Sequence, residues 1–478
     1  MWNYHRGLSR LLAIAAGAAF FLAVVFSGAA QAAKAKKLHL GDSTGNSRLS
    51  DKPTKFFDVF NGGVPERPPL LLELGDPFLH QGNLDPGFEL GTGWVVQPRL
   101  WVFGTLRSAV QSYDNGVAPG TTEWANRFDL YANLQLSGTE KLIVGLRPLD
   151  RNKFTEFSRY GWSPENEFSD ETNARIRTLF FEGDLGSIFS NLDPEGMTPL
   201  DYGFSVGRQQ LNFQDGIMIN DIVDSVGIVR NNLHMPGVSN LRVTAIYGWG
   251  ELDTNRPDPR AQMVGLFLAA DTPKVRWDVD GAWVKDSGQG SSGSFHYGVS
   301  AERPVGLLHT TLRVNGSIAQ DKETSGVGTG VLISGEFNIT PHGSDDNIYF
   351  NPFWAIDNYT QVSREPVVGG PLATFGILFA SASLGNYLSE LSGAAEEVVG
   401  AALGYQAFWD HHSKNLTLEV AGRRDTSNER TKNSDYAAGF QYQQRFGRRI
   451  QWQVDGFYSI QEKRDNGVGL RTEILYQF

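Results

Sequence analysis

The chain is 478 residues long, contains no cysteine and sets 42 basic against 53 acidic residues, a formal net charge of −11. Without cysteine there is neither a disulfide framework nor a thiolate metal site, and the acidic balance argues against nucleic acid as a partner. Beyond residue 32 no apolar run approaches 18 residues, so a membrane-inserted form has to be a barrel, whose closed sheet pairs every backbone N–H and C=O that lipid cannot.

At the N-terminus Arg6 and Arg10 precede an uncharged run over 11–26 and a small-residue patch ending Ala30-Gln31-Ala32. This is the pattern of a secretory signal peptide over 1–32, cleaved after Ala32; the apolar run falls short of the roughly 20 residues a bilayer span needs. Its removal takes away two Arg and no acid, leaving 446 residues with a net charge of −13. Residues 33–97 are rich in Pro, Gly and Asp, as in Pro65-Glu66-Arg67-Pro68-Pro69, with one short apolar run at 70–72. They read as an irregular periplasmic extension.

From residue 98 to 478 the pattern becomes segments of about ten residues with alternating polarity, separated by Gly, Asp, Asn and Ser clusters. Eight segments are phased most cleanly. In 127–136, Phe128, Leu130, Leu134 and Leu136 oppose Arg127 and Asp129; in 241–249, Val243, Tyr247 and Trp249 oppose Arg242. In 275–283, Trp277, Val279 and Trp283 oppose Arg276, Asp278 and Asp280; in 310–318, Leu312 and Val314 oppose Arg313; in 416–423, Leu418 and Val420 oppose Glu419 and Arg423. The last three, 436–446, 450–460 and 468–478, place Arg445, Asp455, Arg471 and Glu473 on their polar faces.

All seven Arg and six acids of these segments lie on one face, and none of the segments contains Lys. A soluble sheet alternates too, but its polar face meets bulk water and usually carries Lys. Trp and Tyr near segment ends, and lengths beyond five or six residues, favour a membrane barrel. A ten-residue step at ~3.3 Å rise and ~40° tilt spans ~25 Å, the height of a lipid-facing band. Short links (137–140, 234–240, 271–274, 447–449) alternate with long polar ones (149–174, 251–261, 285–294, 424–435). That parity predicts an all-β, transmembrane antiparallel barrel of about 18 strands, between 16 and 20, with both termini periplasmic. The stretch 341–397 resists parsing and leaves room for two further strands.

At the C-terminus Ile474, Tyr476 and Phe478 are in step, an ending that resembles the signal read by the outer-membrane barrel-assembly machinery. Phe204-Ser205-Val206-Gly207-Arg208-Gln209-Gln210-Leu211, followed by an acidic stretch over 215–224, resembles the central segment of the alginate-export family of outer-membrane barrels. The resemblance implies a monomeric barrel of about 18 strands whose Arg-rich lumen passes an anionic polysaccharide. It also implies that Arg208 is a lumen residue. Alternation from Phe204 and Val206 would aim Arg208 at lipid, so a local bulge is expected at Gly207.

The polar faces then define a candidate pore lining: Arg127, Asp129, Arg208, Arg242, Arg276, Asp278, Asp280, Arg313, Glu419, Arg423, Arg445, Asp455, Arg471 and Glu473. Arg grips anionic groups with a planar fork that stays charged, and nearby acids keep such binding weak enough for release. The expected function is passive passage of solutes, anionic polysaccharide or small anions, with the lipid bilayer and the assembly machinery as partners. Two other readings stand beside it. The same charges can be mutually neutralising pairs in a structural or adhesin-type barrel, plugged by apolar stretches such as 350–359 and 372–382. An enzyme would need a nucleophile or carboxylate pair beside a histidine; His296, His342 and the pair His411-His412, expected in a short turn, have no such partner motif, and no catalytic, metal or cofactor site is expected.

Overall fold

The structure, a computed structural model, describes residues 69–79, 85–116, 120–150, 157–164, 166–192, 194, 200–252, 261–286, 293–321, 326–364, 369–427 and 434–478. The expected signal peptide and the first half of the extension, 33–68, lie outside the described residues.

Strands β1 (Arg99–Asp114), β2 (Thr121–Gln135), β3 (Lys141–Leu146), β4 (Ile176–Asp184), β5 (Tyr202–Phe213) and β6 (Ile219–Met235) open the barrel. They are followed by β7 (Val238–Gly250), β8 (Gln262–Asp271), β9 (Arg276–Lys285), β10 (Gly293–Val305), β11 (Leu308–Ala319) and β12 (Gly330–Ile339). The wall is completed by β13 (Asn347–Tyr359), β14 (Ala395–Trp409), β15 (Lys414–Asp425), β16 (Asp435–Phe446), β17 (Ile450–Gln461) and β18 (Val468–Gln477). Each pairs antiparallel with the next, and β18 returns to β1 in register from Val468↔Asp114 to Gln477↔Thr105. The result is a closed barrel of 18 strands. Closure is what satisfies both edges at once.

All eight phased segments fall inside strands to within one residue at either end, in the phase that alternation predicts. Trp277, Val279 and Trp283 of β9 are exposed on the outer face while Asp280 and Val284 are buried inward. The outer face meets lipid and the inner one meets water or protein, so each strand carries both solvents in its period of two. Two links break the length rule: residues 185–201 are long at the turn end, and 214–218 are short at the other. The opaque stretch 341–397 supplies β13 and the start of β14. Residues 350–359 are not a plug, because Phe350 and Trp354 point outward from β13; an apolar strand in a wall cannot be told by composition from an apolar plug. The described part of the extension holds a short strand Leu72–Leu74 on the edge of β1 and a two-stranded hairpin, Phe88–Glu89 with Val95–Val96.

Candidate functional site

Among the described residues, two segments turn inward. The first is the tip of the β5–β6 hairpin. β5 pairs with β4 only up to Arg208↔Leu179, and β6 pairs with β7 only from Asp224↔Gly250 onward. Between them, from Gln209↔Val223 to Phe213↔Ile219, the two strands have left their wall neighbours and pair with each other, while Ile219 and Asn220 also take up a short parallel pairing with Ser363 and Arg364. The tip carries Leu211, Met218, Ile219 and Val223, which gain cover by packing on the inner face of β7–β9 against Ile246, Met263, Phe267 and Val284. Phe213 stacks on Phe267 with ring centroids 3.6 Å apart. The turn is sharp, with Gln214, Asp215 and Gly216 all at positive φ, a conformation unusual for side chains other than Gly, Asn and Asp.

The second is the 360–394 loop between β13 and β14. Its Leu372, Phe375, Leu378, Phe379 and Leu391 pack on Phe353, Ala402, Ala421 and Ala437 of the inner wall. The wall is built small there: a Cβ on Gly439 of β16 would sit 2.8 Å from the Leu378 side chain. Wall charges hold the loop backbone. Glu419 accepts the N–H groups of Ile377 and Leu378 at 2.8 and 2.9 Å. Arg127 donates to the Ser383 carbonyl at 3.1 Å, and Arg423 to the Ala394 carbonyl at 2.9 Å. In the loop itself, burial pushes the Glu390 carboxyl up to about 7.

The two segments meet. Tyr359 donates its hydroxyl to the Ile217 carbonyl (3.0 Å), the Arg364 guanidinium donates to the Gly216 carbonyl (2.6 Å), and the Ser363 hydroxyl donates to Asp221 (2.6 Å). Cavities lie beside both segments. A cavity of about 630 Å³ lies between the loop and the wall, lined by Arg107, Glu336, Tyr349, Gln453, Asp455 and Arg471 among others. Another of about 230 Å³ lies beneath the hairpin tip, where Arg242, Arg276, Asp278 and Asp280 face Gln214 and Asp215.

Of the residues read from sequence, most are committed to partners. Asp129 sits between Arg127 (2.9 Å) and Arg147 (2.8 Å); Arg471 holds Asp455 and Glu473, each at 2.8 Å. Arg313 bridges Asp215 and Glu336. Asp280 accepts from Gln214 at 2.7 Å. Arg276 keeps a side chain 48% exposed, with Asp278 3.6 Å away. The side chains of Arg242 and Arg445 are exposed and make no hydrogen bond or ion pair among the described residues.

Arg208 departs from the expectation. The β5–β6 register runs unbroken through Gly207 and Arg208, so there is no bulge, and Arg208 keeps the outward phase of exposed Val206. It pairs with Asp224 and Glu251, both at 2.8 Å, and donates to the Ile176 carbonyl. These partners stand at the loop-side ends of their strands, where a neutralised outward Arg is tolerated. Gly207 serves close packing instead, since a Cβ there would lie 2.2 Å from the Leu179 carbonyl oxygen.

Sequence reasoning passed over Arg107, which binds Glu473 at 2.6 Å and the Ala382 carbonyl at 3.0 Å. Its strand blurs the signal, because Trp101 and Phe103 share the inward face with Arg99 and Arg107. Among the described residues, His296 is buried in β10 beside Ser294 at 3.0 Å, and His411-His412 occupy the β14–β15 turn at positive φ, far apart in the sequence and in different parts of the wall.

No family model matches the chain, and no curated protein matches it. Solved structures do. The Pseudomonas aeruginosa outer-membrane protein OpdK, in a structure with vanillate, aligns at a TM-score of 0.53 and 9% identity, covering 79% of this chain and 98% of that one. A BenF-like porin from Pseudomonas fluorescens Pf-5 aligns at 0.53 and 10%, with the same coverage. Acinetobacter baumannii OccAB3 aligns at 0.51 and 11%, covering 79% and 99%. Likeness at such identity is a likeness of fold, and it falls on porins; the alginate-export family is not shown. Closed ladder, outward apolar band and porin-like architecture together make the chain a multi-pass β-barrel of the outer membrane.

Proposed function

We propose that the chain is a passive channel for small solutes, with anions favoured. The observation that carries this is the cavity of about 630 Å³ beside the inward loop, which has the dimensions of sites that hold single small molecules, roughly 300–1,000 Å³. The anion preference rests on fewer residues than the sequence offered, because Arg127, Arg313, Arg423 and Arg471 are tied to acids or to loop carbonyls. Arg242 and Arg276 remain available to a solute at the smaller cavity. Vanillate, named with one neighbour, is a small carboxylate of the kind such a pair would attract. Loop lengths support an orientation with the turn end and both termini in the periplasm.

Neutralising Arg242 and Arg276 together, as Gln, is expected to lower anion-over-cation permeability while leaving heat-modifiability intact. The effect should shrink as salt rises, since the Debye length falls. Reversal potentials in asymmetric salt measure it, and an unchanged value at low salt would remove the anion preference while leaving the channel.

Ile474, Tyr476 and Phe478 also form the assembly signal on this reading. Phe478 stacks on Phe128 with centroids 5.7 Å apart and bonds Gly104 through both backbone groups. Deleting Phe478 is expected to deplete folded barrel from the outer membrane, read as loss of the heat-modifiable band; normal assembly without it would refute the role.

A further inference from the structure

The two strands that close the barrel are unequal. β1 pairs with β2 along its length from Arg99↔Gln135, yet β18 reaches only Thr105 before Phe478 bonds Gly104. The other edge of β1, from Arg99 to Phe103, would then be bare. An unpaired edge next to lipid leaves N–H and C=O groups without partners and invites the barrel to unzip there.

That edge is filled by the extension. Leu72, Glu73 and Leu74 pair antiparallel with Val102, Trp101 and Leu100, continuing the line of β18. Leu72 and Leu74 take the outward phase, 43% and 53% exposed, in step with Leu106 and so with the lipid-facing band. Glu73 folds the flanks around the strand by accepting the N–H of Leu70 at 2.8 Å and of Phe78 at 3.2 Å. Trp101 of β1 donates its indole N–H to the Asp76 carbonyl (3.0 Å) and meets the Phe78 ring edge-on at 5.2 Å. From the β16–β17 turn, Arg449 donates to the Pro69 carbonyl (2.7 Å) and to the Tyr476 hydroxyl of β18 (3.1 Å). The segment is thus held by β1 directly and by Arg449, which also bonds β18 through Tyr476 and Gln477.

We infer that residues 69–79 are a seam latch: a lipid-facing strand that occupies the bare edge of β1 and locks the β1–β18 closure. The strand of the latch faces lipid, and its remaining contacts lie on inward-facing Trp101 of β1 and on Arg449 of the β16–β17 turn, neither of which lines either cavity. It adds ladder bonds and apolar cover where unzipping would begin, so it acts on the rate at which the barrel opens.

The chain has no cysteine, so introduced pairs report without background. Oxidising Leu72→Cys with Val102→Cys in the folded full-length protein is expected to form a cross-link, as a seam control, Leu470→Cys with Ser112→Cys, should do. The cross-linked latch should raise the temperature at which the heat-modifiable band converts, and Leu72→Asp with Leu74→Asp should lower it by several degrees with conductance unchanged. A cross-link in the control but not in the latch pair would overturn the placement. A latch that cross-links while neither the disulfide nor the Asp pair moves the transition would overturn the locking role.

Discussion

Replacing residues 371–391 with a short Gly-Ser link should raise single-channel conductance several-fold. Those residues carry the apolar side chains that pack on β13–β16 and the backbone groups that Glu419 and Arg127 hold. They enter none of the 18 wall strands, so every ladder from β1 to β18 keeps its partner and the barrel should still close. Removing them exposes Phe353 and several Ala on the inner wall, a modest apolar surface, and leaves Glu419 to be hydrated by lumen water. The stability loss should therefore be smaller than the gain in open cross-section is large. Planar-bilayer recordings decide the matter: an unchanged conductance would mean that ions do not pass beside this loop, and the cavity next to it would no longer represent the path.

The largest effect on stability is expected at the outer face. Val279→Arg in β9 should destabilise the barrel by roughly 2–4 kcal/mol, the cost of a charged side chain near the bilayer midplane. Val279 is 44% exposed on the same face as Trp277 and Trp283 and is the fourth of the ten residues of β9, inside the apolar band rather than at its edge. Its cross-strand partners are Leu268 and Val299, so nothing beside it can neutralise the guanidinium. Gln453→Arg is the matched control. Gln453 lines the large lumen cavity and donates to Asp455 at 2.9 Å, so a cation there gains an acid neighbour and should leave stability nearly unchanged. Urea titration of refolding in lipid compares the two; equal losses would contradict the assignment of faces. Asn315 would be a poor control. It shares the inward phase but is fully buried, close enough to the hairpin tip that both would crowd a Cβ on Gly298.

The sequence alone determined the wall. Each strand separates two solvents with a side-chain period of two, so its own ten residues state which face meets lipid, and 127–136, 275–283 and 468–478 need no neighbour to be phased. The same locality made the closed sheet and the strand number accessible, since turn and loop lengths alternate along the chain. What fills the wall was decided only by tertiary structure. Phe375, Leu378 and Phe379 are apolar whether they face lipid or pack on a lumen wall, and composition cannot choose between those two apolar surroundings. Residues 209–213 and 219–223 continue β5 and β6 without a break in their mutual register, yet they leave the wall where β4 and β7 stop pairing with them. Arg107 and Glu473 meet across 366 residues of sequence, and Arg208 finds Asp224 and Glu251 at the rim. Whether an Arg is tied or available depends on which strand or loop arrives opposite it, a long-range coincidence that no local period encodes.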